Sequence, residues 1–420
     1  MKDYVEKELL QQVPLDYEHP LKSSITLFAR DIFDKKNENA EILVYFNGGP
    51  GVSCIRDWRE TEWVVEALKT YRVILLDQRG TGRSQPVDLN ILSTFKSSES
   101  LYQYLTYFRA DNIVRDTEFL RTHSLKRAKI TIFGQSFGGF VVFSYLSMAP
   151  KALRGALITA GIPPLTCNSV EAVYQALITT IEKRNEKFYQ AYPQDKIKVE
   201  RIVTLIQQAP MSINGELLTL ERFLDLGWYF GHEEGFETIH HLLDEAFCDE
   251  KMTQLSWRFA KNILQMTSFW EMNPLYALLH ESIYCYGFGS HWAAEKVKQQ
   301  IQSFNLKNKL PYFSGEMVRS TMLQDYAGLT AFEEAANLLA QKNDWPLLYD
   351  MAVLAKNTVP VEALLMTDDF YVNYDLAKTA ASRIKNIKLW QHKTWQHDAL
   401  RKHGKKVMST LLKRLDKRII

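Results

Sequence analysis

Cysteine is scarce in this 420-residue chain: Cys54, Cys167, Cys248 and Cys285 are the only four, and no two stand at C-x-x-C spacing. Thiols so few and so scattered exclude a disulfide scaffold and point to a reducing compartment, the cytoplasm. No apolar run approaches the ~20 residues needed to cross a bilayer. The segment from Met1 to Gln12 carries Lys2, Asp3, Glu6, Lys7 and Glu8 and has no apolar stretch of a secretory signal. No membrane partner is expected. An excess of one charge is also lacking: 51 basic residues against 49 acidic ones leave a net +2, which gives a nucleic-acid partner no electrostatic basis. Lys402, Lys405, Lys406, Lys413, Arg414, Lys417 and Arg418 read as the solvated face of a terminal helix. His232, Glu233, His240 and His241 lack H-E-x-x-H spacing and read as helix surface, so no metal is expected. Gly80-Thr81-Gly82 lacks the third glycine of a dinucleotide fingerprint, and no cofactor is expected.

What is present is an alternation of strand and helix signals. Ile25 to Phe33 mixes polar and apolar positions like an exposed antiparallel strand. Glu41 to Phe46, Arg72 to Asp77, Lys129 to Phe133 and Arg154 to Ala160 are short apolar runs. Helical spacing lies between them, at Trp58 to Lys69 and Asp111 to Thr122. Continuous apolar strands separated by helices imply a mostly parallel sheet covered on both faces. From Leu165 to Asp344 the texture turns helical and dense in aromatics. Strand texture returns at Val359 to Met366 and at Ile387 to Trp390. The expected architecture is an α/β-hydrolase fold: a core of residues 1–164 and 345–420, interrupted by a mainly helical cap at 165–344.

The strongest local signal is Gly134-Gln135-Ser136-Phe137-Gly138-Gly139, between an apolar run and a helix-compatible one. This is the G-x-S-x-G nucleophile elbow, which presents a serine hydroxyl at a helix N-terminus. A serine nucleophile needs a base and a group that orients the base, in the chain order Ser, Asp or Glu, His. Thr367-Asp368-Asp369 follows the strand expected after the cap. Asp369, one step further into the loop, is chosen as the acid over Asp368. Three histidines lie beyond it: His392 is too close to the last strand and His403 falls in the terminal helix, which leaves His397 as the base. An oxyanion hole needs two backbone N–H groups. Phe137, following the nucleophile, supplies one, and Gly49 in the loop Asn47-Gly48-Gly49-Pro50-Gly51 supplies the other. A phosphate-cradling loop is the rival reading of those glycines, but no Gly-Lys-Ser/Thr follows.

Three motifs in order, Gly48-Gly49-Pro50-Gly51, Asp77-Gln78-Arg79-Gly80-Thr81-Gly82-Arg83-Ser84 and the serine elbow, resemble the proline iminopeptidase (prolyl aminopeptidase) family of α/β-hydrolases. Val13-Pro14-Leu15-Asp16-Tyr17, His280-Glu281-Ser282-Ile283-Tyr284, Gly315-Glu316-Met317, the 344–350 segment and His397-Asp398 resemble its longer, large-cap branch. The resemblance implies release of N-terminal proline from small peptides by a serine mechanism without metal, with Ser136, Asp369 and His397 as the triad. Asn47, Phe370 and Ala399 stand where relatives usually have His, Met and Gly.

An exopeptidase must recognise a free α-amine, and an ammonium entering a dry pocket needs a carboxylate to offset its desolvation. Glu281 is the first candidate, on a helix that would put Tyr284 and Cys285 on its face; Glu316 is the second and Glu271, beside Trp270, the third. The alternatives are a capped esterase or amidase acting on other small acyl or aminoacyl groups, and a hydrolase-fold binding protein without activity.

Overall fold

The structure, a computed structural model, describes residues 3–419. Eight strands form one sheet: β1 (Tyr4–Pro14), β2 (Ser24–Asp34), β3 (Glu41–Phe46), β4 (Tyr71–Asp77), β5 (Ile130–Gln135), β6 (Leu153–Thr159), and, beyond a two-stranded hairpin of β7 (Met211–Ile213) and β8 (Glu216–Leu218), β9 (Val361–Met366) and β10 (Ile387–His392). The order across the sheet is β1-β2-β4-β3-β5-β6-β9-β10. β1 and β2 run antiparallel, β2 joins β4 antiparallel, and β4 through β10 are mutually parallel.

The period-2 geometry of a strand explains why the central runs are apolar throughout. Along β3, Ile42, Val44 and Phe46 join one core layer while Leu43 and Tyr45 join the other. β9 does the same, with Val361, Ala363 and Leu365 on one side and Leu364 and Met366 on the other. The first layer is closed by the helices Ala110–Phe119 and Phe137–Met148, the second by Glu62–Ala67 and Gly404–Asp416. The terminal helix is not simply a solvated basic face. Arg414 and Arg418 reach back to the buried carboxylate of Glu362 on β9, at 2.6 and 2.5 Å, because that charge needs partners once removed from water.

The N-terminal strand was not expected, since its charged residues alternate with apolar ones. Eleven residue pairs register it against β2 as an edge strand, where one face can carry charge. Arg79 ties this edge down. Its buried guanidinium pairs with Asp116 at 2.5 and 2.7 Å and donates to the carbonyls of Pro14, Leu15 and Tyr107. The Arg79 part of the second motif is therefore a cross-link between sheet edge and helix.

Between β6 and β9 the chain is almost wholly helical, led by Val170–Ala191, Asp195–Gln208 and Trp257–Thr267. Phe188, Phe223, Phe230, Phe236 and Phe313 form its aromatic centre. A buried Arg319–Asp225 pair, 2.6 and 2.9 Å, also takes the Tyr326 hydroxyl. This insertion meets the C-terminal ends of the parallel strands. The His397 N–H donates to Gly231 O at 3.2 Å, Asn373 Nδ2 to Ala176 O at 2.7 Å, and Gly51 abuts Leu275 and Tyr276. No helix among the described residues is long and apolar enough to cross a membrane.

Candidate active site

At the end of β5 the chain turns sharply into the helix Phe137–Met148, with Ser136 at φ 54°, ψ −125°. A non-glycine residue there costs about 1–3 kcal/mol. Two hydrogen bonds hold the turn: Ser136 N donates to Thr159 O at 3.0 Å, and Gly139 N to Ser136 O at 2.8 Å. At about 0.5–1.5 kcal/mol net each, they are of the size of the strain they offset. The packing explains the small neighbours. A Cβ on Gly138 would lie 2.0 Å from Phe46 O, and one on Gly134 would lie 2.2 Å from Gly138 O.

Three side chains from distant loops meet at this turn. His397 Nε2 lies 3.0 Å from Ser136 Oγ, and His397 Nδ1 lies 2.9 and 3.0 Å from the two Asp369 oxygens. Asp369 follows β9 and is itself oriented by the N–H groups of Tyr371 and Val372, at 2.9 and 3.0 Å. Its neighbour Asp368 turns away to Lys187 at 2.6 Å and Arg184 at 3.6 Å, both on the insertion. His392 ends β10, and His403 pairs with Glu233 at 2.8 Å. Burial alone would lower the basicity of His397, but the charge and hydrogen bond of Asp369, with Glu316 and Asp398 behind, shift it upward on balance. Tyr371 closes the histidine from one side, with its ring edge-on at 4.7 Å and its hydroxyl donating to Trp228 O. Its position two residues past the acid was the only sequence signal for it.

The glycine loop after β3 is tied by Asn47, whose side-chain amide donates to Ser53 O at 2.9 Å and accepts from the Tyr45 hydroxyl at 3.1 Å. Gln78 of the second motif donates to Asn47 O at 2.8 Å. Within it, Gly49 has φ 139°, a backbone region that side chains disfavour. A Cβ on Gly48 would meet Ser136 Cβ at 3.1 Å, which puts this loop directly beside the serine. Phe137, first residue of its helix, has an N–H with no intrahelical acceptor.

The expected cap carboxylates fall at different depths. Glu316, half-buried with its side chain 13% exposed, lies close enough to His397 and Asp369 to feel both charges. Its Oε1 accepts the hydroxyl of Tyr276, the residue that packs on Gly51. Burial pushes its carboxyl up to about 7. Glu281 is buried and pushed up to about 7 by desolvation, which the Ala294 N–H on its Oε1 at 2.8 Å and the nearby Ser290 and Ala293 partly offset, while Oε2 accepts no close hydrogen bond among the described residues. The expected α-helix at Glu281 is instead a 3₁₀ turn, Glu281–Tyr284, ending at an extended Cys285, so the expected helical face does not form. Glu271 is occupied by Arg222 at 3.0 Å and by the Gly328 N–H at 2.9 Å.

Away from this centre, ligand atoms of His240, His241 and Asp244 lie within 4.8 Å of one another. Asp195 holds His240 Nδ1 at 2.8 Å, and Lys198 already sits 2.6 Å from Asp244, supplying the positive charge an ion would bring. His232, expected on a helix surface, is packed among Trp228, Tyr229 and Tyr371.

A serine, a histidine and a carboxylate joined by hydrogen bonds over an eight-stranded, mostly parallel sheet define an α/β-hydrolase. The family model described as alpha/beta hydrolase fold matches residues 41–206. The chain is 35% identical to a proline iminopeptidase of Aeromonas sobria over 96% of this chain and 94% of that one. It is 34% identical to the proline iminopeptidase aneH of Aspergillus aculeatus over 97% and 93%. A proline iminopeptidase of Xanthomonas citri matches more locally, 32% identical over 33% of this chain and 38% of its own. The chain belongs to the proline iminopeptidase family of α/β-hydrolases.

Proposed function

We propose that this chain is a serine aminopeptidase that releases N-terminal proline from small peptides. The observation that carries the reading is the unbroken hydrogen-bond chain Ser136–His397–Asp369, with the half-buried acid Glu316 beside it. Both full-length relatives named above are proline iminopeptidases.

In this reading His397 Nε2 takes the Ser136 proton as Oγ attacks the prolyl carbonyl carbon. The Gly49 and Phe137 N–H groups stabilise the oxyanion. His397 then returns the proton to the departing amine, leaving a prolyl ester on Ser136. Water, deprotonated by His397, attacks that ester, and proline leaves. Asp369 holds the imidazole in the tautomer that needs its proton on Nδ1 and stabilises its charged form. No step calls for a metal or a cofactor.

Selection of a chain end follows from the 165–344 cap. It meets the strand ends beside Ser136, and in this reading it excludes the residues that would precede an internal peptide bond. Glu316 is the principal anchor for the α-ammonium, being the cap acid nearest His397, and Glu281, with one free oxygen, is the second. Their elevated basicity is the signature of carboxylates lacking a counterion, which the substrate ammonium would supply. The four unpaired cysteines support a cytoplasmic location.

The test is hydrolysis of prolyl-para-nitroanilide and of its N-acetyl derivative. The free-amine substrate should turn over, the blocked one should not, and Ser136→Ala should abolish turnover while keeping the unfolding transition. Equal rates on both substrates, or turnover of simple esters alone, would favour the esterase reading.

A further inference from the structure

His280 is 1% exposed, yet neither ring nitrogen has a hydrogen-bond partner among the described residues. Buried polar groups are ordinarily satisfied, so two orphaned nitrogens on one ring call for a missing partner. The ring is fixed in place. It stacks on Tyr276 at 5.3 Å and 5° and meets the edge of Tyr284 at 6.1 Å and 90°. Nε2 points to Glu316, 3.9 Å from Oε2. That gap is too long for a direct hydrogen bond, and it matches the span of two acceptors that share one nitrogen about 2.9 Å from each. Glu316 Oε1 is already engaged by Tyr276, and the Trp228 indole also bears on this carboxylate; no hydrogen bond joins Oε2 to Nε2, whose own side is left without a partner among the described residues.

The prolyl α-amine is a secondary ammonium with two N–H bonds, and both need acceptors once water is stripped away. We propose that His280 binds the substrate directly, its Nε2 accepting one N–H of the prolyl ammonium while Glu316 Oε2 accepts the other. This rests on the aminopeptidase reading above, with Glu316 as anchor. With its proton on Nδ1 the neutral imidazole offers Nε2 as an acceptor. Burial pushes His280 down to about 3, so the ring stays neutral and does not repel the ammonium. Tyr276 couples the pair to the reaction centre: its backbone packs on Gly51, its hydroxyl holds Glu316, and its ring carries His280.

The experiment compares kcat/KM for prolyl-para-nitroanilide with that for cyclopentanecarbonyl-para-nitroanilide, which keeps the ring and lacks the amine. The ratio of the two isolates amine recognition from chemistry. His280→Phe keeps a stacking ring and removes both nitrogens. The ratio should fall about 10–100-fold, the worth of a hydrogen bond to a charged group. His280→Gln, whose amide oxygen can accept, should retain more of the ratio than the phenylalanine variant. A loss of rate equal on both substrates would make His280 merely structural and overturn the proposal. Glu316→Gln separates the two readings. If it leaves the ratio intact, the amine anchor itself is wrong; if it collapses the ratio while His280→Phe does not, only the histidine assignment falls. A second measurement needs no variant. In wild-type protein labelled with ¹⁵N-histidine, titration with proline should shift the His280 Nε2 resonance in the direction of hydrogen-bond acceptance, and an unmoved resonance at saturating proline would refute the contact.

Discussion

Replacing Gly138 with alanine tests whether the elbow geometry, rather than the mere presence of its serine, makes the site. The new Cβ would sit 2.0 Å from Phe46 O, 2.7 Å from Phe46 C and 3.0 Å from Asn47 O. A carbon normally keeps about 3.3 Å from a carbonyl oxygen, so more than ~1 Å of separation must be found. All three obstructing atoms are backbone, at the end of β3 and the start of the glycine loop. The helix cannot simply withdraw, because Gly134 already lies against Gly138 O, and Gly139 against Gly161 O. Either the serine turn or the glycine loop after β3 must move. Overpacking of this kind costs about 1–3 kcal/mol of stability. A misplacement of about 1 Å between reacting groups costs on the order of 10²-fold in rate. The expected result is a folded protein with a lowered unfolding midpoint and kcat/KM for prolyl-para-nitroanilide down about 100-fold. Gly215→Ala, in the open turn between β7 and β8 where a Cβ meets nothing within 4 Å, is the control: its φ of 86° costs some stability, but kcat/KM should stay unchanged. Wild-type activity in Gly138→Ala would refute the claim that this close approach sets the site.

The pH profile of kcat/KM should lose activity on the acid side, because protonation removes the base at His397 and the charge at Glu316. His397 is shifted up and Glu316 sits near 7, so the two share one acid limb whose apparent pKa values belong to the pair. Asp369→Asn removes the charge that raises His397, and should move its part of the limb to lower pH while cutting kcat by about 10⁴-fold; an unmoved profile would contradict the assigned cause. Stability should run the opposite way. Glu316 is raised above its unfolded value, so its contribution is fully present below about pH 4.5 and is lost as pH rises through about 7. Glu316→Gln should therefore stabilise the protein above pH 7, by up to about 3 kcal/mol, and little at pH 4. Equal effects at both pH values, read by denaturant unfolding, would remove the strained-acid account.

The parallel core could be read because burial on both faces leaves an unmistakable apolar run: the Glu41 to Phe46 expectation coincides with β3, and Arg154 to Ala160 falls one residue from β6. β1 escaped because an edge strand needs only one buried side, and its glutamates and lysines resemble a polar terminus. The Trp58 to Lys69 helix shrinks to Glu62–Ala67, since the preceding residues make turns and Trp58 spends its indole N–H on Glu6, 2.8 Å away. Around the elbow, glycine spacing and chain order pick out residues 136, 369 and 397; in the structure His397 lies 3.0 Å from Ser136 Oγ on one side and 2.9 and 3.0 Å from the Asp369 oxygens on the other. The cap was harder. Glu281 and Glu316 sit in segments without regular periodicity, and which acid approaches His397 depends on how the Tyr276 segment packs on Gly51, a contact between positions far apart in the chain. His280 stands in the segment 280–284 that resembles the large-cap branch, but nothing in the sequence marks it as a ligand, because a histidine on an apolar segment is ordinarily a satisfied core residue.

The most direct measurement is to mix the protein with excess prolyl-para-nitrophenyl ester, quench in acid within the first turnover, and map the modified peptide by mass spectrometry. One prolyl group esterified to Ser136, lost on longer incubation and absent in Ser136→Ala, is the predicted result. Turnover with no covalent adduct at Ser136, or with the prolyl group on another residue, would contradict the serine mechanism.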